Sequence, residues 1–88
     1  MASYQVVLKP SVQKDLRSLP KSVIARMLKE IEALSQDPFP RRSVKLEGGE
    51  GLRRVRVGDY RLVYGVDKVK KSILIHYVRH RREVYRKL

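Results

Sequence analysis

The sequence predicts an α+β fold: a small antiparallel β-sheet with an N-terminal helical hairpin packed on one of its faces. Three observations carry this. Apolar residues recur at helical spacing through two segments separated by Pro20. Two runs rich in Val, Leu and Tyr flank Gly58-Asp59, the signature of a tight β-hairpin. The run ILIHYV, residues 73–78, is almost continuously apolar, as a strand inside a sheet should be. The 88 residues make a single domain, residues 1–88. A chain of this size buries only about 60–65% of its unfolded surface, so one sheet with helices on one side is the core it can build. The hydrophobic share of 42% is enough for such a core and argues against disorder.

Residues 3–9, SYQVVLK, read as a first strand with Tyr4, Val6 and Leu8 on one face. Pro10-Ser11 then opens a helix, since proline suits a first turn and serine suits a cap. Val12, Leu16 and Leu19 follow at helical spacing as far as Pro20. A second helix is expected over residues 21–36, with an apolar stripe of Ile24, Met27, Leu28, Ile31 and Leu34. Asp37-Pro38 ends it, and Pro40 keeps the chain extended. The stripe must cover a sheet face. Residues 44–46 form a short strand or bend, followed by a loop with Gly48, Gly49 and Gly51. After the hairpin, residues 67–72 make a polar turn, and 73–78 the last strand. The tail from Arg79 to Leu88 is a short helix or an extension.

The hairpin is where a function first shows. If Gly58 and Asp59 are the whole loop, Val57 faces Tyr60, Arg56 faces Arg61, Val55 faces Leu62 and Arg54 faces Val63. Side chains alternate. One face carries Val55, Val57, Tyr60, Leu62 and Tyr64; the other carries Arg54, Arg56, Arg61 and Val63. Like charges directly opposite each other destabilise a sheet. A solubilising surface would mix signs, yet the only acid from residue 53 to residue 61 is Asp59, in the turn. The cluster therefore reads as a site for an anion. On this reading, removing the Arg61 charge relieves repulsion and leaves the fold as stable as before, or slightly more so.

The formal net charge is +12, from 21 basic and 9 acidic residues, far more than solubility requires of a small domain. It implies a polyanionic partner. The absence of cysteine removes disulfides and thiolate metal sites and fits a cytoplasmic protein. No apolar run reaches membrane-span length and no signal peptide is evident, so no membrane partner is expected.

His76 and His80 are the only histidines and no carboxylate pair accompanies them, so neither a metal nor any other cofactor is expected. No glycine-rich phosphate loop leads into a helix, and no Ser-His-Asp signature is present. Phosphodiester chemistry without a metal does fit. In RNA the 2′-hydroxyl can attack the neighbouring phosphate; a catalyst must align that attack, neutralise the charge building on phosphorus and move two protons. Guanidinium groups match phosphate oxygens bidentately. The tail adds Tyr85 and His80, the latter flanked by Arg79 and Arg81, as a candidate base.

Three segments carry a resemblance across the whole chain: Lys45-Leu46-Glu47-Gly48, the hairpin from Arg54 to Tyr64, and His80-Arg81-Arg82-Glu83-Val84-Tyr85. In these the sequence resembles the RelE/ParE superfamily of bacterial and archaeal toxins, and looks closest to the RelE branch. The resemblance implies a RelE-like fold of order β-α-α-β-β-β with a short C-terminal helix or tail. It implies the toxin of a type II toxin–antitoxin system: a ribosome-dependent endoribonuclease cutting mRNA in the decoding site and inhibiting translation. It also implies a cognate antitoxin, and operator DNA bound only through the toxin–antitoxin complex. Family members carry basic residues two apart before the turn, an arginine after it, and an arginine and a tyrosine in the tail; these match Arg54, Arg56, Arg61, Arg81 and Tyr85. The expected roles are charge stabilisation by Arg54, Arg56 and Arg61, leaving-group stabilisation by Arg81, stacking or orientation by Tyr85, and proton transfer by His80. Lys45, Arg53, Arg79 and Arg82 are the expected further contacts to RNA and ribosome. Some relatives have lysines at the positions of Arg54 and Arg56, one of them serving as base, and a basic residue at Glu47. Arginine is not deprotonated in a protein, so that role does not transfer. Two other readings stand beside this one: a ParE-like gyrase poison and a non-catalytic nucleic-acid-binding protein.

Overall fold

The computed structural model describes residues 3–48 and 51–80. The last strand runs on through Arg79 and His80, the first two residues of the expected tail; Arg81, Arg82, Tyr85 and the rest of that tail lie outside the described residues. The elements are β1 (Gln5–Leu8), α1 (Pro10–Arg17), α2 (Lys21–Gln36), β2 (Val44–Lys45), β3 (Leu52–Val57), β4 (Tyr60–Asp67) and β5 (Ser72–His80). Five strands form one sheet in the order β1-β5-β4-β3-β2. The α+β class is as expected, with one correction. The sheet is mixed, because β1 pairs parallel with β5, Val6 opposite Ile73 and Leu8 opposite Ile75. Parallel neighbours need a long crossover, and all the chain between β1 and β5 supplies it. The helical hairpin carries the chain to the far edge, and β2 to β5 meander back.

Helix α1 starts at Pro10, whose missing N–H is no loss in a first turn. Ser11 lies inside the helix; the N-cap residue is Lys9, with no side-chain cap bond. Val12 and Leu16 are buried beneath it. In α2 the buried residues are Met27 and Leu34, with Val23 and Ile31 packed beside them. Leu28 is 52% exposed, although it belongs to the expected stripe. The seam from Val23 through Met27 and Ile31 to Leu34 is narrower than the stripe, and the apolar arc beyond it faces outward.

Against these helices lie Val55, Val57, Leu62, Tyr64, Ile73, Ile75 and Val78. Tyr64 is fully buried, and its hydroxyl donates to the carbonyl of Pro38 at 2.8 Å. That bond satisfies a buried O–H and ties the chain leaving α2 to the middle of the sheet.

The β3–β4 register is the one the two-residue turn dictates, with Arg56 opposite Arg61 and Arg54 opposite Val63. Gly58 has φ +61° and Asp59 a negative φ, the pattern of a type II′ turn. Between β4 and β5, Val66 lies opposite Ile73, Tyr64 opposite Ile75, and Val63 opposite Tyr77. His76 is the extra residue of a β-bulge. An unbroken ladder from Val66–Ile73 would set His76 and Val78 together on the arginine face. The bulge reverses the alternation beyond it. Val78 turns into the core, opposite Leu62 and 4% exposed, while Tyr77 and Arg79 turn outward.

Candidate functional site

The pairings lay out the outer face of the sheet in rows. Nearest the hairpin turn, Arg56, Arg61 and Arg79 line up across β3, β4 and β5. The next row is Val44, Arg54, Val63 and Tyr77, contributed by β2 to β5. Beyond it come Leu52, Gly65 and Leu74, with His76 beside them. The face thus passes from cationic at the turn to apolar at the far end.

Arg42, Arg54, Arg56 and Arg61, with Val44, line one depression of about 260 Å³. No carboxylate is among the described residues lining it. Four guanidinium groups around one concavity have the geometry and charge to hold a phosphate from several directions. Arg56 is oriented by donating from Nε to the Gly58 carbonyl at 3.1 Å. Arg61 is 7% exposed, and its Nη1 donates to the Tyr60 carbonyl at 3.3 Å. Its aliphatic stem is therefore packed as well as its charge placed.

Arg42 is the member that the sequence did not reveal. It stands outside any predicted element, and only the Val44–Arg54 pairing carries it to this rim. The Glu30 carboxylate of α2 accepts a hydrogen bond from Arg42 Nη2 and pairs with it, raising the already high Arg42 pKa further. The basic pair Arg41-Arg42 just ahead of residues 44–46 was the available signal.

Other expected site residues go elsewhere. Arg53 and Lys45 pair with each other on the helix side of the sheet. Arg53 donates from Nε and Nη2 to Ser43 Oγ, at 3.0 and 2.8 Å, with its guanidinium 5.4 Å from the Phe39 ring centroid. Arg79 is on the arginine face, but its Nη1 donates to Asp15 Oδ2 of α1 at 2.7 Å. His80 is opposite Tyr60 on the helix side, edge-on to that ring at 5.4 Å between centroids. The bulge separates it from the arginine rows, so the structure does not bring the expected base together with the expected charges.

His76 remains on the arginine face. Burial, with Lys9 adding like-charge repulsion, lowers its pKa below the usual histidine value. Gly65 beside it is a close approach: a Cβ there would lie 3.3 Å from His76 Nε2 and 3.3 Å from Leu52 Cδ2.

Residues 6–85 match the family model of the ParE toxin of the type II toxin–antitoxin system parDE. The chain belongs to the RelE/ParE family of type II toxins. Its relatives place it in the RelE branch. It is 30% identical over 86 residues to the protein named as toxin RelE1 of Methanocaldococcus jannaschii, covering 94% of this chain and 96% of the relative. It is similar to the RelE–RelB complex of the archaeon Pyrococcus horikoshii, at 38% identity and a TM-score of 0.81, covering 90% of this toxin and 96% of that chain. It is also similar to the RelBE2 toxin–antitoxin complex of Mycobacterium tuberculosis, at 29% identity and a TM-score of 0.78, covering 89% and 98%. Among the described residues, no helix is long and apolar enough to cross a membrane.

Proposed function

We propose that this toxin is a ribosome-dependent endoribonuclease that cleaves mRNA in the decoding site without a metal. The observation that carries the reading is the depression ringed by Arg42, Arg54, Arg56 and Arg61. In the reaction, the 2′-oxygen bonds to phosphorus and the 5′-oxygen leaves. Negative charge peaks on the phosphorane between the two, and fixed cations placed there stabilise the transition state over the ground state. Arg56 and Arg61, directly cross-strand, and Arg54 are the groups assigned to that charge. Arg81 keeps its proposed role of stabilising the leaving group, and Tyr85 its proposed role in stacking or orientation.

None of the grouped arginines is a general base, and His80 is on the other face. Alignment of the 2′-hydroxyl must then come largely from the bound ribosome, and free RNA is expected to be a poor substrate. The partners proposed are mRNA and ribosome in the cytoplasm, and an antitoxin of the RelB kind, since the two RelE structures above are complexes with one. Operator DNA is proposed to be bound through that complex alone. A chain of charge +12 should bind its antitoxin with an affinity that weakens as salt rises.

The matched family model bears the ParE name, which favours gyrase poisoning as the second reading. One experiment with two arms separates them. Translating ribosomes incubated with the toxin should yield mRNA cut at codon positions, while gyrase supercoiling proceeds normally. Intact mRNA with blocked supercoiling would replace the first reading by the second. Binding to both without either effect would leave a basic binding protein.

A further inference from the structure

We propose that the far end of the arginine face holds one nucleobase of the RNA strand whose phosphate lies against the arginines. This rests on the nuclease reading and extends it to a base-recognition subsite. The end row opens into a depression of about 440 Å³ lined by Leu52, Gly65, Leu74, His76, Asp67 and Lys70 among others.

Its floor is apolar and low. Gly65 stands between Leu52 and Leu74 in the row, and any side chain there would press on His76 and Leu52 at 3.3 Å. An apolar floor suits the face of a nucleobase and disfavours a phosphate, which would lose hydration there unpaired. The rim is mixed in sign, with Asp67 and Lys70, where a phosphate site would be uniformly cationic. His76 completes it. Its pKa is lowered by burial and by Lys9, so near neutral pH the ring offers one donor and one acceptor, as a base edge requires. The bulge sets the position of His76 on this face: an unbroken ladder would put it directly opposite Val63, whereas as the extra residue it lies between the Tyr64–Ile75 and Val63–Tyr77 pairs, beside Gly65. Distance also fits. Leu52 is two residues from Arg54 along β3, about 6.6 Å at the usual strand rise, within the reach of a single nucleotide.

Nucleotide titrations followed by NMR on the intact toxin test the site without requiring cleavage. Adenosine, guanosine, cytidine and uridine 5′-monophosphates are compared with ribose 5-phosphate. The nucleotides should shift the Gly65 and Leu74 amides and the His76 ring signals, and ribose 5-phosphate should shift only the arginine rows. Gly65→Ala should weaken the nucleotides roughly tenfold, the scale of one lost base stack, and leave the ribose 5-phosphate response in place. Nucleotides that perturb Gly65 and His76 no more than ribose 5-phosphate does would overturn the subsite. On the ribosome, His76→Ala should change the base frequencies at one position beside the cut. Unchanged frequencies in a variant that still cuts would also overturn it. A parent that does not cut mRNA while nucleotides still bind at Gly65 would remove the nuclease reading and leave the subsite standing.

Discussion

The two faces of the sheet are built from the same strands by alternation, reversed once at the β5 bulge, yet they are held by different physics. On the helix side, Val55, Leu62, Tyr64, Ile73 and Ile75 are fully buried against Val12, Met27 and Leu34. That side is apolar area removed from water, worth about 25 cal/mol per Å². On the outer side, Arg56, Arg61 and Arg79 share one row. That row opposes folding, and its repulsion is relieved locally, by Asp15 on Arg79 and by backbone carbonyls on Arg56 and Arg61. One face maintains the structure and the other carries the proposed site. Substitutions on opposite sides of one strand should therefore move different observables.

Leu62→Ala should give the largest effect on the core side. Leu62 is fully buried, and a leucine truncated to alanine in such a site costs roughly 2–5 kcal/mol. In a domain this small that is a large part of the total. Ribosomal cleavage measured well below the lowered denaturation midpoint should stay near parental. A stable Leu62→Ala that no longer cuts would mean that the two faces are not separable.

Arg61, the next residue back along β4, should do the opposite. Relief of repulsion from Arg56 alone would make Arg61→Ala neutral or stabilising. Burial of the side chain changes that. Truncation to alanine removes packed methylenes at about 0.8 kcal/mol each against a relief of at most about 1 kcal/mol. Net destabilisation of about 1 kcal/mol is expected for Arg61→Ala. Arg61→Met keeps the stem and discards the charge, so it should hold the parental midpoint while cleavage falls about 10²–10³-fold. Parental cleavage in Arg61→Met would remove the arginine from the proposed chemistry.

A smaller effect probes where the faces meet. Asp15 and Arg79 join α1 to the end of β5 across the sheet edge at 2.7 Å. Both are partly exposed, so Asp15→Asn should cost under about 1 kcal/mol. It also releases the Arg79 charge onto the arginine face, and RNA affinity should rise by a few-fold, with a steeper salt dependence. Unchanged affinity in a filter-binding titration would mean that Arg79 serves the fold alone.

How much of this was legible in the sequence follows from the same contrast. The hairpin register was legible because a two-residue turn leaves one choice, and the arginine cluster followed from it. The parallel seat of β1 was not, since nothing in residues 3–9 names a partner. The bulge was hidden for a sharper reason. In ILIHYV apolar residues occupy both parities, so alternation carries no signal of an extra residue. Everything downstream inherits that ambiguity: His80 was a candidate base only because it titrates near neutral pH between two arginines, and no register placed it; it is found edge-on to Tyr60. Arg42 was missed because a residue outside any element has no register to read.

The bulge itself yields the smallest predicted effect, and one whose sign is fixed. His76 is seated against Gly65, and the charged groups around it are Lys9 at the end of β1, with Asp67 and Lys70 on the rim of the same depression. Its pKa in the folded chain lies below the ordinary histidine value of 6.5. The unfolded chain therefore binds more protons in the interval below pH 6.5, and stability must rise with pH there. The contribution is fully present above pH 6.5 and is lost as pH falls through the lowered folded value. His76→Gln keeps a polar side chain of similar length and removes the titration. Denaturation midpoints of both proteins, measured from pH 7.5 down to pH 5, should run parallel above 6.5. Below it the parent should fall faster than the variant. His80 is common to both and cancels in the difference. Parallel curves across the whole range would mean that His76 titrates as it does in the unfolded chain. The imidazole would then be solvated, and the bulge would not press it against Gly65.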